Sequence, residues 1–260
     1  MSGPRGQAIN GDVAQDAKRA AVEVRSVRKS YGDQHVLDGI DLEVSQGETL
    51  AILGQSGTGK SVLLKLIVGL QAPDAGSIHV HGQEVAGIAP GAMNALRLKI
   101  GFVFQSAALY DSMTVEQNIA FPLARHARLA DAECRARVRQ LLASVGMEKD
   151  LAKMPGQISG GMKKRVGLAR ALALSPDILL FDEPTTGLDP ITAAEISALI
   201  LQLQRERKVA SIIVTHDVHV AEVVADRLAI LRDGRILVTG TFDELRASRD
   251  PFVSRFLKPA

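Results

Sequence analysis

The stretch GQSGTGKS (residues 54–61) follows the apolar segment ETLAIL and leads into SVLLKLIVGL. The first of these segments is typical of a buried strand, and the second of a helix that is apolar on nearly every side. The spacing Gly54-x-x-x-x-Gly59-Lys60-Ser61 thus lies between a strand and a helix, where a phosphate-binding loop belongs. The glycines let backbone amides surround a phosphate, Lys60 can reach neighbouring phosphates, and Ser61 can ligate Mg²⁺.

The bulk composition fits one or two folded domains and argues against nucleic acid as the main partner. The chain has 260 residues, of which 46% are hydrophobic, and its formal net charge is only +2. It has no tryptophan and 3% aromatic residues, too few for a surface that stacks bases. The single cysteine, Cys134, excludes an internal disulfide and a cysteine metal cluster, and favours a reducing compartment.

The first twenty residues, MSGPRGQAINGDVAQDAKRA, lack an apolar core of signal-peptide length, and we interpret residues 1–20 as a flexible tail. No apolar run in the chain approaches the ~18 residues that cross a bilayer. If the protein works at a membrane, we expect another subunit to hold it there.

Strand and helix patterns alternate along the rest of the chain, which implies a mainly parallel sheet covered on both faces. Helical spacing with Arg, Glu and Gln on the outer face replaces this alternation between about 106 and 160, and it predicts a helical insert. The dipeptide Asp233-Gly234 predicts a hairpin turn. We predict strands at 21–27, 36–44, 48–53, 99–105, 177–184 and 210–216.

Four polar side chains come at or just after the ends of predicted strands. ILLFDE carries Asp182 and Glu183 to the carboxyl end of a buried strand, the edge where ligands bind in open α/β sheets. Asp182 suits the Mg²⁺ shell, and Glu183 is placed to orient and activate a water. Gln105 and His216 end two other strands in the same way. We therefore predict that these groups converge on one γ-phosphate.

A second pair of glycines opens a predicted helix in GQISGGMKKR (residues 156–165). Backbone amides at a helix N-terminus form an anion site, so this stretch predicts a second phosphate cradle about a hundred residues after the first. The alternative is an ordinary helix start in which Ser159 is the N-cap.

Taken together, these motifs resemble the ATP-binding subunits of ABC transporters, in the right order and over roughly residues 21 to 240. The resemblance implies an α/β fold: a P-loop NTPase (RecA-like) core with a mainly parallel sheet, an antiparallel β subdomain and a helical insert. Residues 21–260 would form one ABC ATP-binding domain, with the helical subdomain at about 106–160. The motifs are Tyr31-Gly32, loop 54–61, Gln105, ISGGM (158–162), ILLFDE (178–183), GLD (187–189) and His216.

The resemblance also assigns roles to individual residues. In this family two subunits pair head to tail, so that the ISGGM loop of one closes over the ATP held by the other. Two cradles in one chain therefore make two shared sites in a homodimer. The expected ATP-binding residues are Tyr31, Gly54, Ser56, Gly57, Thr58, Gly59, Lys60, Ser61 and Val62, with Ser159, Gly160, Gly161 and Asp189 facing the partner's ATP. The expected Mg²⁺ ligands are Ser61, Gln105 and Asp182, and the expected catalytic residues are Glu183, His216 and Gln105.

Within the family, the segment at 104–124 and the long motif after Ser159 look most like the ATPases of Mla and Mce-associated lipid transporters. That resemblance implies ATP-driven movement of phospholipid between bacterial envelope membranes through a separate integral membrane permease. An MCE-type lipid-binding protein is a further expected partner, and the chain is expected at the cytoplasmic face of the inner membrane. The usual loop reads LSGGQ, and we expect activity to survive the change to Ile158 and Met162 because the phosphate-facing groups are unchanged.

Two other classes of function compete with transport. A soluble ABC ATPase acting on ribosomes or DNA usually has two cassettes or a long coiled coil, whereas this chain has one cassette and no heptad repeat. A P-loop GTPase or small-molecule kinase has no use for the loop at 158–162, and the chain lacks an Asn-Lys-x-Asp motif. Leu109, Tyr110, Met113 and Phe121 favour transport, since we expect the exposed members of this group to receive a coupling helix of the permease.

Overall fold

The computed structural model describes residues 20–257. Residues 1–19, which make up nearly all of the predicted tail, lie outside the described residues. None of the helices in the described range combines the length and the apolar character needed to span a membrane.

Two sheets form the frame of the protein. The strands are β1 (Ala20–Tyr31), β2 (Gln34–Ser45), β3 (Thr49–Leu53), β4 (Ala75–Val80), β5 (Gln83–Glu84), β6 (Ile100–Val103), β7 (Ile178–Asp182), β8 (Ala210–Thr215), β9 (Arg227–Arg232) and β10 (Arg235–Gly240). The larger sheet has the order β10-β9-β3-β8-β7-β6 and is parallel from β9 to β6, while β10 is antiparallel to β9. The smaller sheet, β2-β1-β4-β5, is antiparallel.

Helices cover both faces of the larger sheet. They are α1 (Lys60–Ile67), α2 (Pro90–Arg97), α3 (Val115–His126), α4 (Asp131–Ser144), α5 (Gly160–Ala171), α6 (Pro190–Arg207), α7 (Val218–Val224), α8 (Phe242–Arg246) and α9 (Pro251–Phe256), with a 3₁₀ turn at Pro155–Gln157. One face packs against α1 and the smaller sheet, and the other against α3 to α6. The predicted fold class is confirmed, and the predicted bounds of the domain and its helical part stay a prediction.

The apolar pattern of the sequence explains this layering. Every residue of β3 and of β7 is buried, as expected for parallel strands covered on both faces. Helix α1 lies between the two sheets, and four of its apolar residues are therefore buried: Leu63, Leu64, Leu66 and Ile67.

The predicted strand at 99–105 is two residues too long at its end. Pairing with β7 stops at Val103, opposite Phe181, and the chain then turns, with the Ala107 amide donating to the Phe104 carbonyl at 2.9 Å. Gln105 therefore lies in the turn after β6 and does not end the strand. The hairpin at Asp233-Gly234 is confirmed, and both residues have the left-handed φ values, 49° and 75°, that its turn requires.

Asn118 fixes the segment that leads from this turn into α3. Its side chain is fully buried and accepts from the Tyr110 amide at 2.8 Å. Its amide nitrogen lies 3.0 to 3.2 Å from the carbonyl oxygens of Tyr110, Met113 and Thr114. The shape of residues 110–114 thus depends on one buried side chain.

We expect Asn118→Ala to lower the free energy of unfolding by about 2–4 kcal/mol, because the Tyr110 amide and several carbonyls lose their partner in a buried site. Urea unfolding of the purified protein measures the change. Asn94→Ala is the matched control, since Asn94 is exposed on α2 and a surface change of this kind costs less than about 0.5 kcal/mol. Equal stability of the two variants would contradict the role given to Asn118.

Candidate functional site

The loop at 54–61 connects β3 to α1 in a conformation that only glycine tolerates. Gly57 and Gly59 have φ values of 82° and 97°, in the left-handed region. A Cβ at Gly59 would also lie 2.9 Å from the side chains of Val36 and Leu37, and one at Gly54 would lie 2.7 Å from the Leu231 carbonyl oxygen. The predicted loop is thus fixed by both its backbone and its neighbours.

Lys60 is buried beneath this loop, with 5% of its surface exposed. Its ammonium donates to the carbonyl oxygens of Gly54 at 2.8 Å and Gln55 at 3.0 Å, and lies 3.4 Å from Glu183 Oε1. These bonds hold a positive charge at the centre of the loop, where a phosphate would need it.

Ser61 and Asp182 place two oxygen ligands next to each other. The Ser61 hydroxyl donates to Asp182 Oδ1 at 2.7 Å, joining the start of α1 to the end of β7. A hydroxyl and a carboxylate are ligands that Mg²⁺ accepts, and Mg²⁺ usually takes only one or two protein groups beside substrate phosphates. No group of three or more His, Cys, Asp and Glu residues suited to a metal occurs in the described part of the chain, and the two oxygens of Ser61 and Asp182 fit an Mg²⁺ ion whose other ligands include substrate phosphates.

Glu183 is the first residue after β7 and is held from three directions. It is 8% exposed and has a left-handed φ of 47°, a conformation that costs a non-glycine residue about 1–3 kcal/mol. Its Oε2 accepts from the Thr186 hydroxyl at 3.1 Å and lies 2.9 Å from His216 Nδ1. With Lys60 at Oε1, the carboxylate has a fixed position and direction.

These groups line one cavity of about 510 Å³, a size that suits a nucleotide. Gln105 and His216 reach it as exposed side chains from the turns after β6 and β8 and line it together with Glu183, while the convergence on one γ-phosphate stays a prediction. Gly54, Thr58 and Asp182, which are also predicted site residues, are not among the residues that line the cavity, although Asp182 is bonded to the lining residue Ser61. The lining residues are Tyr31, Val36, Ser56, Gly57, Gly59, Lys60, Ser61, Val62, Gln105, Glu183, Thr186 and His216.

The four residues predicted to face a partner's ATP, Ser159, Gly160, Gly161 and Asp189, do not line this cavity. Ser159 is the N-cap of α5 and accepts from the Met162 amide at 3.3 Å, so the alternative of an ordinary helix cap describes the geometry within one chain. Asp189 caps α6, and the hydroxyl of Thr192 donates to it, which lowers the pKa of Asp189. Their contact with a partner's ATP stays a prediction.

The second loop nevertheless leaves no room for a side chain at Gly161. A Cβ at Gly161 would lie 2.5 Å from Thr192 Cγ2, because the first turns of α5 and α6 pack against each other. The exposed groups of Ser159 and Asp189 therefore lie on neighbouring helix starts.

Sequence reasoning missed Thr186, which orients Glu183, and Lys164, which lies on the buried face of α5. Lys164 is 7% exposed and reaches the Glu183 carbonyl at 3.3 Å. Its spacing of three residues from Gly161 and four from Leu168, which are both buried, marks the inner face of the helix, and this was the available signal.

The comparisons with known proteins agree with this geometry. The sequence profile of the family described as ABC transporter matches residues 37–186. The probable ribonucleotide transport ATP-binding protein mkl of Mycobacterium leprae is 40% identical, and the match covers 96% of this chain and 72% of that protein. For the Mycobacterium bovis protein of the same name, the chain spans 66% of its length.

Two further relatives match over most of their length. The intermembrane phospholipid transport system ATP-binding protein MlaF of Haemophilus influenzae is 39% identical, over 91% of this chain and 90% of that protein. The ATP-binding cassette MJ0796, in a dimeric post-hydrolysis structure with ADP and Pi, has a TM-score of 0.78 and 33% identity, covering 85% of this chain and 98% of that one. Because the family profile covers more than half of the sequence, this chain belongs to the ABC transporter family, among its ATP-hydrolysing subunits.

Proposed function

We propose that this chain hydrolyses ATP as one half of a homodimer and drives a separate membrane permease that moves phospholipid. The observation that carries the hydrolytic part is the Glu183 carboxylate, held by Lys60, Thr186 and His216 on the wall of the loop cavity. A carboxylate fixed beside a phosphate-binding loop is what activation of a water requires.

Each group in the cavity has a step to perform. The loop amides and Lys60 bind the phosphates, with Lys60 giving up its contacts to the Gly54 and Gln55 carbonyls. Glu183 takes a proton from a water molecule while the oxygen of that water bonds to the γ-phosphorus. The bond between the γ-phosphorus and the oxygen that bridges it to the β-phosphate breaks, which leaves ADP and phosphate. His216 holds the carboxylate in line. Mg²⁺, held by Ser61, Asp182 and Gln105, would neutralise charge on the phosphates.

The homodimer is supported by the exposed helix starts that carry Ser159 and Asp189, and by the dimeric structure of the MJ0796 cassette. Ile191 adds an apolar side chain, 75% exposed, beside this pair of helix starts. An exposed apolar side chain beside two helix N-termini suits contact with a second nucleotide-bearing subunit.

Phospholipid as the transported substance is supported by the MlaF relative, of which the chain covers 90% at 39% identity. The mkl relative, at 40% identity, carries the name of a ribonucleotide transporter, and ribonucleotide is therefore the competing substrate. We place the chain at the cytoplasmic face of the cell membrane, with an MCE-type lipid-binding protein as a further partner of the complex.

A groove beside the turn after β6 is the proposed docking site of the permease. It has a volume of about 430 Å³, and Phe102, Phe104, Tyr110, Phe121 and Arg170 are among the residues that line it. The rings of Tyr110 and Phe121, which are 46% and 37% exposed, have centroids 5.1 Å apart. Of the other predicted docking residues, Leu109 packs against the core and Met113 is half-buried. Tyr110 and Phe121 are therefore the docking residues that a permease can contact.

Glu183→Gln should leave ATP binding intact and lower kcat by at least about 100-fold, because the amide keeps the shape but cannot accept the proton. Equilibrium binding of a fluorescent ATP analogue and steady-state phosphate release measure the two effects. Unchanged hydrolysis in this variant would show that the base lies elsewhere.

Ser159→Arg should abolish hydrolysis at a site whose own loop at 54–61 is intact, because charge and bulk then enter from the partner. Ser159→Asp keeps an N-cap acceptor for the Met162 amide but repels phosphate, so it should be equally inactive. Met162→Gln, the matched control, should change the rate by less than about tenfold, since the phosphate-facing amides remain. Normal activity of Ser159→Asp would leave Ser159 as a cap alone.

Mixing tests the shared site directly. In a mixed dimer, one subunit carries Ser159→Arg and the other carries Lys60→Ala. The loop at 54–61 of the first and the loop at 158–162 of the second are both unchanged and form one intact site. Two inactive proteins should therefore regain hydrolysis when they are combined. Sites built from a single chain would stay inactive in the mixture.

Tyr110→Asp should release the chain from membranes while sparing its fold and ATP binding, because a charge then faces the apolar groove. Fractionation of cells and co-purification of the permease measure this, with Leu237→Glu as the control at a similar exposure of 44%. The wild-type complex should retain phospholipid, and phospholipid but not ribonucleotide should stimulate its ATP hydrolysis. A wild-type chain found on ribosomes, or stimulation by ribonucleotide alone, would overturn the assignment.

A further inference from the structure

One face of helix α5 packs against the turn after β6 and holds it in place. Arg170 donates from its guanidinium to the carbonyl oxygens of Ala107 at 2.9 Å and Ala108 at 2.8 Å. Gly167, one turn earlier, packs so closely that an added Cβ would lie 3.2 Å from the Ala107 methyl group. One turn earlier again, the Lys164 ammonium donates to the Gln105 carbonyl oxygen at 2.5 Å. Residues spaced by three thus hold the whole turn against the helix.

Lys164 is distinguished from its neighbours by a second bond. Its ammonium also donates to the carbonyl oxygen of Glu183 at 3.3 Å. In residues 20–257, Lys164 is the side chain hydrogen-bonded to both the Gln105 turn and the main chain of Glu183. The helix that starts at Ser159 therefore touches the residue that carries the catalytic carboxylate.

The surroundings of Lys164 argue against a purely structural role. The side chain is 7% exposed and forms no ion pair within the described residues, and burial lowers the pKa of its ammonium while the charges of Glu183 and Asp182 oppose that shift. A buried charge without an ion-pair partner is costly even when carbonyl oxygens accept its hydrogen bonds, and an apolar side chain would fill the same space at a smaller cost. A charged donor at this position thus needs a reason beyond packing.

The backbone of Glu183 supplies that reason. Its φ of 47° is left-handed, its amide donates to the Val214 carbonyl at 2.9 Å, and its carbonyl accepts from Lys164. A strained residue keeps its conformation only when its surroundings hold it on several sides. The direction of the carboxylate therefore depends on the bond from Lys164.

We propose that Lys164 is a positioning residue for ATP hydrolysis, whose ammonium joins the Gln105 turn to the Glu183 main chain and so aligns the catalytic carboxylate. The inference rests on the proposed role of Glu183 and deepens it. The same turn continues into Tyr110 and the docking groove, and Arg170 lies between them, 5.9 Å from the Tyr110 ring centroid. A displacement of the residues that line the groove would be transmitted to the Glu183 main chain through the two hydrogen bonds of Lys164.

The test is Lys164→Met in the purified full chain, which keeps the length of the side chain and removes its donor. The kcat for ATP should fall by about 10–100-fold, as expected for a misaligned catalytic group, while the equilibrium affinity for a fluorescent ATP analogue changes by less than about threefold. Lys164→Gln, which keeps an N–H donor, should recover part of the lost rate and also serves if the methionine variant is unstable.

Lys163→Met is the matched control, because Lys163 is the adjacent, half-buried lysine of α5 and its side chain forms no hydrogen bond or ion pair among the described residues. Its rate should stay within about twofold of wild type. If Lys164→Met behaves like this control, or if it weakens ATP binding as much as turnover, the positioning role is wrong.

A double variant separates this inference from the proposed role of Glu183. In the Glu183→Gln background, Lys164→Met should lower the residual rate by less than about twofold, because its effect passes through the missing carboxylate. A full additional loss would mean that Lys164 acts on another group. If the proposed role of Glu183 is wrong, the single variant Glu183→Gln will hydrolyse ATP at the wild-type rate, and this result is separate from the outcome for Lys164.

Discussion

The burial of the parallel strands on both faces is the constraint on which the rest of the structure depends. Every side chain of β3, β7 and β8 is buried, so these strands can carry polar chemistry only where they end. Parallel strands also end on the same side, which brings the phosphate loop, Asp182 and His216 to one edge. The cavity is therefore a consequence of the sheet, and the sheet is a consequence of apolar strands that helices must cover.

Helix α5 gives this edge its connection to the rest of the molecule. It begins at Ser159, packs its first turn against α6, and holds the turn after β6 through Lys164, Gly167 and Arg170. The candidate partner contact, the main chain of Glu183 and the proposed docking groove thus all contact this one helix. A helix moves as a unit, so a displacement at one of these places is felt at the others, without any contact between the ligands themselves.

The relatives differ in what their names say they transport, although their identities to this chain are nearly equal, 40% for mkl and 39% for MlaF. The chemistry of the cavity explains this, because its lining residues are suited to phosphates and a nucleotide and include none that would distinguish a lipid from a nucleoside cargo. Under the proposed function, the membrane permease selects the cargo, and the groove lined by Tyr110 and Phe121 binds that permease.

The sequence by itself determined the features that depend on a few adjacent residues. The glycine spacing of the loop, the apolar run that ends at Asp182 and the turn at Asp233-Gly234 each follow from local backbone geometry or periodicity, and they sufficed for the fold class and most of the cavity. Tertiary structure alone decided that strand β6 ends before Gln105, that Leu109 is packed while Tyr110 is exposed, and that Lys164 is buried against Glu183. These outcomes depend on contacts between distant segments, such as the bonds of Lys164 to residues 19 and 59 positions away and the pairing of Val103 with Phe181, and such contacts leave no periodic trace in the sequence.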